Sequence, residues 1–219
     1  MTKTVDLRAV HSVTIELHGG MLTLAAVCIG IKVLDMFWGR FLGEKGGILR
    51  RVLRKASEHS TPTILLSAIG GVVGLALSGI TGSALMPFET LSRSPIGLNK
   101  IMVTAFAMEF WCIMIAMNVA YREDVWKNRQ MATMMVLTGG LGYLFSITGG
   151  SIGGTMAGKE SIMEPVWYLL GVDLHSSWIL SSDIVIVLLV AVNVVGILLI
   201  VFSDRIFRLV TSIHRAPNR

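Results

Sequence analysis

Five long apolar stretches constrain this chain more than anything else in it. They run at about 14–37, 61–82, 96–121, 131–151 and 178–202. Each reaches the roughly 20 residues that a helix needs to cross a hydrocarbon core of about 30 Å. A backbone in hydrocarbon must satisfy its own N–H and C=O groups, so such stretches are expected to be helices. Apolar residues make up 53% of the chain, charged residues 15%, and the mean hydropathy is +0.70, which excludes an ordinary soluble domain. The connections are too short for a second core. The expected fold is all-α: one integral membrane five-helix bundle over residues 1–219. "MTKTVDLRAVHSVTIELHGG" lacks the basic start and short apolar run of a secretory signal, so the first span is expected to be retained.

The net charge of +5 is distributed unevenly. Arg40, Lys45, Arg50, Arg51, Arg54 and Lys55 follow span 1, Arg122, Lys127 and Arg129 follow span 3, and Arg205, Arg208, Arg215 and Arg219 follow span 5. The other side carries only Lys3, Arg8, Arg93, Lys100 and Lys159. By the positive-inside rule the N-terminus is outside and the C-terminus cytoplasmic, in a multi-pass protein of the plasma membrane. The basic excess reports topology and no nucleic-acid partner.

Thr61-Pro62 and Ser94-Pro95 place a capping hydroxyl before a proline, the chemistry of a helix start. "ILRRVLRK" (48–55) separates apolar residues from four cations and predicts a short interfacial helix near lipid headgroups. Span 2 repeats small residues at Ser67, Gly70, Gly74 and Ser78, and span 4 at Thr138, Gly142, Ser146 and Gly149. That rhythm lets helices approach closely in lipid. It suggests a duplicated helical hairpin, spans 1–2 and 3–4, with a fifth helix added. In the loop 151–177, "EPVWYLLG" predicts a short helix anchored by Trp167 and Tyr168.

Among polar residues, Glu109 stands alone in "TAFAMEFWCIMIAM" (104–117). A charge there costs at least about 2.5–3.5 kcal/mol, so the carboxyl is expected to be protonated or partnered. It shares a helical face with Met102, Ala105, Cys112 and Ala116, opposite the bulkier Phe110, Trp111 and Met114. The small face is expected to turn into the bundle, with Glu109 bonded to another helix, for instance at Asn193, or acting as a proton relay. Lys32 and Asp35 are spaced to pair at the inner end of span 1. His18, beside Glu16, and His175 both fall on the outer side and suit the two axial ligands of a b-type haem. Alternatively, Glu16, His18, Asp173, His175 and Asp183 gather a divalent metal. His59 lies on the other side. Cys28 and Cys112 fall inside spans without metal-ligand spacing, and the thirteen methionines show no repeated spacing. "GGSIGGTMAGK" (149–159) lacks the Gly-Lys-Ser/Thr of a phosphate loop.

The words "ELHGG" (16–20), "SGITG" (78–82) and "SITGGSIGG" (146–154) give spans 1 to 4 a loose resemblance to small uncharacterised membrane-protein families related in architecture to b-type cytochromes. The chain departs from their pattern at Gly19, where a proline would follow the first His, and at Asn99, where a His would begin the third helix. The resemblance implies an electron-transfer role and haem b. Two expectations result. The first is a non-catalytic integral membrane subunit of a respiratory or redox complex, anchoring partner subunits in the lipid bilayer and holding haem b or quinone near His18 and His175. The second is a small transporter or proton-conducting protein that uses Glu109.

Overall fold

The computed structural model describes residues 6–41, 47–159, 161, 163–176, 178, 183, 187, 190, 191, 194 and 198. The described residues are all-α, without a strand. The helices are α1 (Leu7–Phe41), α2 (Gly47–Leu85), α3 (Phe88–Arg93), α4 (Pro95–Tyr121), α5 (Asp124–Lys127), α6 (Arg129–Met156) and α7 (Glu164–Leu169). Of these, α1, α2, α4 and α6 are long and apolar enough to cross a membrane, and the chain is a multi-pass membrane protein by that measure. Most of the fifth predicted span, Asn193 included, lies outside the described residues. Its described positions, 183, 187, 190, 191, 194 and 198, are helical and exposed.

Helix starts follow local chemistry. Ser94 caps α4, its hydroxyl accepting from Gly97 N at 3.1 Å ahead of Pro95, as its sequence predicts. Asn128 caps α6 by accepting from Gln130 N and Met131 N. Thr61-Pro62 is different. Pro62 sits inside α2, which runs unbroken for 39 residues. Proline removes the N–H that would reach the Glu58 carbonyl. The Ser60 and Thr63 hydroxyls bond the carbonyls of Ala56 and His59 at 2.8 Å each, on either side of the freed Glu58 carbonyl. The basic segment 48–55 is therefore the first part of α2, not a separate interfacial helix.

Glycines set the register. A Cβ on Gly82 would come 3.1 Å from the His11 ring, and one on Gly74 would come 2.9 Å from His18 Cβ, so α1 and α2 run antiparallel in close contact. Likewise a Cβ on Gly142 would meet the Trp111 ring at 3.2 Å, on Gly149 Thr104 Oγ1 at 3.3 Å, and on Gly153 Lys100 Nζ at 2.7 Å, which fixes α4 against α6. Tyr143 OH lies 3.3 Å from Thr23 Oγ1, joining α6 to α1, and Asn118 Nδ2 donates to Thr61 O at 3.4 Å, joining α4 to α2. The ring closes in the order α1, α2, α4, α6, so α1 and α4 face one another across it.

Two side-chain expectations change. Trp111 and Met114 are fully buried, so the bulky face of α4 packs into the ring and does not look at lipid. Trp111 Nε1 donates to Ser146 Oγ at 3.1 Å, the polar handle a buried indole needs. On the Glu109 side Ala105, Cys112 and Ala116 are buried, whereas Met102, Glu109, Ile113 and Met117 are half-buried, so the small face does not turn fully into the ring. Lys32 bonds Glu123 at 3.0 Å, not Asp35. A chain segment far away in sequence outcompetes the neighbour three residues on.

Candidate functional site

The end of the bundle where α1 begins gathers most of the chemistry. His11, Thr14 and His18 stand three to four residues apart and share the α2-facing side of α1. His11 Nδ1 lies 2.8 Å from Thr81 Oγ1, which also lies 2.9 Å from Leu77 O. A threonine hydroxyl both donates and accepts, so this pair fits either tautomer of His11. His18 Nδ1 lies 2.9 Å from the Thr14 carbonyl, which only accepts, so His18 carries its proton on Nδ1. That assignment follows from the acceptor. In the neutral His18 ring Nε2 keeps a lone pair, the arrangement that frees an imidazole nitrogen for a ligand or proton. His18 is buried and His11 half-buried.

Lys100 of α4 comes from across the ring. Counting along the α1–α6 and α4–α6 contacts puts it level with about Thr14, between the two histidines. Both imidazoles lie within its electrostatic reach. Its ammonium rests against Gly153, in space that any side chain there would fill. This accounts for part of the glycine-rich word 149–154: Gly149 and Gly153, four residues apart, let α4 close on α6. Among the described residues no carboxylate pairs with Lys100.

Asn99, next in the chain, is fully buried and ties down the following loop. Its Nδ2 donates to Leu174 O at 3.0 Å and Ser176 O at 2.6 Å, while Oδ1 accepts from Trp178 N at 3.1 Å. The residue that departs from the resembled pattern thus has a structural task of its own. The predicted helix at "EPVWYLLG" forms as α7, with Trp167 packed against the core and Tyr168 exposed.

The other expected site residues are dispersed. His175 is exposed on the loop, its Nε2 2.9 Å from Glu164 Oε1, and Glu164 Oε2 also accepts from Thr155 at 3.2 Å. Glu16 is exposed and accepts from Ser12 at 3.4 Å. Asp183 is exposed. Among the described residues no three of His, Cys, Asp and Glu gather to hold a metal, so the set Glu16, His18, Asp173, His175 and Asp183 is not assembled. Glu109 is half-buried, with Oε2 shielded and without a hydrogen-bond partner.

No protein-family model matches this chain, and neither a curated protein nor a solved structure matches it. Sequence reasoning passed over His11 and Lys100. The seven-residue step from His11 to His18 was the available signal for one face, and Lys100 five residues inside an apolar helix was the other.

A shallow apolar groove of about 490 Å³ lies between α1 and α6, lined by Ala26, Gly30, Val33, Val136, Gly140 and Tyr143 among others. At the opposite end α1 and α2 overrun the rest of the ring. Asn118 meets Thr61, so α2 continues back to Gly47 about 16 Å beyond the end of α4 at 1.5 Å per residue. This arm exposes Phe37, Ile48, Leu49 and Val52 beside Arg51, Arg54 and Lys55.

Proposed function

We propose that this chain is an integral membrane subunit of a respiratory or redox complex in the plasma membrane. It anchors partner subunits and carries a redox group, haem b or quinone, at the end where its N-terminus lies outside. The observation that carries this reading is His18: buried, held by Thr14 through Nδ1, with Nε2 left to bind. A b-type haem with two imidazole ligands needs a second such nitrogen, and His175 does not fit that role as found, because its Nε2 is engaged by Glu164 on an exposed loop. Quinone asks only for a hydrogen-bonding group, which His18 can supply. The exposed apolar and basic arm and the α1–α6 groove support partner docking. The two hairpins, each closed by glycines, are in keeping with a duplication followed by a fifth helix.

An absorption spectrum of the purified protein tests this. A Soret band lost in His18→Ala supports haem. A colourless protein that co-purifies with no extractable quinone after expression in a respiring host counts against the whole reading. The second reading, proton conduction, rests on the unpartnered Glu109 Oε2. Glu109→Gln keeps the shape and removes ionisation. Proton flux into vesicles unchanged by that substitution would remove Glu109 from such a path.

A further inference from the structure

We propose that Lys100 and His11 form a binding site for an oxyanion of the phosphate class, open at the end of the bundle where α1 begins. The proposal is independent of the redox reading and leaves His18 to it. Lys100 supplies a full positive charge inside a ring of apolar helices. Gly153 underlies the ammonium three residues before the C-terminal end of α6. A helix end carries only a partial negative charge, so it does not neutralise the ammonium. Among the described residues no carboxylate forms an ion pair with Lys100. Glu164 is held by Thr155 and His175, Asp173 accepts from His175 N, Asp6 accepts from Arg8 N, and Glu16 and Glu89 are exposed, Glu16 on another side of α1 from His11 and His18. Withdrawing even part of this charge from water is costly, and an anion offsets that cost.

The second group is His11, held by Thr81 through Nδ1 and resting on Gly82, with Nε2 carrying no hydrogen bond among the described residues. That nitrogen suits a phosphate in either protonation state. A neutral ring accepts from a P–OH group, and a protonated ring donates to a P–O⁻ oxygen, while Lys100 donates to another oxygen of the same group. Lys100 and His11 are both only half-buried, so an anion has access from water or from the headgroup layer. The shared chemistry is a phosphate monoester or free phosphate. Phosphatidate in the bilayer and inorganic phosphate in solution are its two sources.

The test uses the whole chain in phosphatidylcholine nanodiscs and follows the unfolding midpoint. One arm adds inorganic phosphate against chloride at matched ionic strength, and the other adds phosphatidate. A rise with phosphate assigns the site to the free anion, and a rise with phosphatidate alone assigns it to lipid. In either case Lys100→Gln should weaken the response at least about tenfold, Lys100→Arg should retain it, and His11→Gln should weaken it. No rise in the wild type in either arm overturns the proposal, as does a rise that survives Lys100→Gln. Should Lys100→Gln not fold, native mass spectrometry of the wild type decides. Preferential retention of phosphatidate or phosphate supports the site, and retention no greater than that of phosphatidylcholine overturns it.

Discussion

Lys32 Nζ of α1 lies 3.0 Å from Glu123 Oε2, in the turn after α4, and 5.7 Å from the centre of the Trp126 ring. The lysine side chain is 8% exposed and the glutamate 51%, so the pair straddles the boundary between core and water. Removing the acid strands a buried cation, whereas removing the lysine leaves a carboxylate that water can solvate. Glu123→Gln is therefore expected to destabilise by about 1–2 kcal/mol, discounted from a fully buried pair because the acid is half in water. Lys32→Met should cost less. Thermal unfolding in detergent measures both, and the reverse order would show that the pair does not hold α1 to this turn.

The glycine contacts predict a ranking. An added methyl at Gly74 meets the Cβ and backbone of His18, which cannot move without shifting α1. At Gly153 it meets the flexible end of Lys100. Gly74→Ala should cost about 1–3 kcal/mol, in the range of overpacked cores, and Gly153→Ala distinctly less. Gly74→Leu and Gly142→Leu should prevent assembly. Equal midpoints for the two alanine variants would contradict the close approach of α1 to α2 at Gly74.

Apolar runs made the four described spans legible, because hydrophobic length alone decides which segments cross a membrane. Small-residue spacing likewise pointed to Gly74, Gly142 and Gly149 as contacts. What the pattern did not carry was choice between partners. Lys32 had Asp35 nearby in sequence, but Glu123 is brought to it only by the fold. Pro62 looked like a helix start, yet it interrupts a single hydrogen bond in a helix otherwise held along its length by α1. Size alone does not mark the inward face of α4: Trp111 fits against Gly142 with its N–H on Ser146, while the half-buried stripe runs through Met102, Phe106, Glu109, Ile113 and Met117. His11 and Lys100 belong together through a register between α1, α6 and α4 that no local spacing encodes.

Arg122 closes α4 with φ at +48°, the one described non-glycine residue in that region. Side chains rarely adopt it, and the cost is of order 1 kcal/mol. Arg122 is exposed and its backbone N–H already bonds Asn118 O, so glycine can take the same path. Arg122→Gly is expected to leave the fold intact and raise stability by up to about 1 kcal/mol. A lower midpoint would mean that the guanidinium has a stabilising task larger than the strain.

Asn99 gives the sharpest test of how the site end is held. Its side chain makes three hydrogen bonds to the backbone of residues 174–178 while fully buried. Asn99→Ala removes all three and leaves two carbonyls and one N–H without their partner, at a cost of about 2–4 kcal/mol. Asn99→Asp keeps one acceptor but faces two carbonyl oxygens with a carboxylate, so it should be no better than alanine. The loss should be local before it is global, because these bonds hold a loop and not the ring. Trypsin reports on this at Lys159, an exposed residue where α6 gives way to the loop. Cleavage there should accelerate in both variants well below the unfolding midpoint. Unchanged cleavage together with a lowered midpoint would place the role of Asn99 in the ring itself.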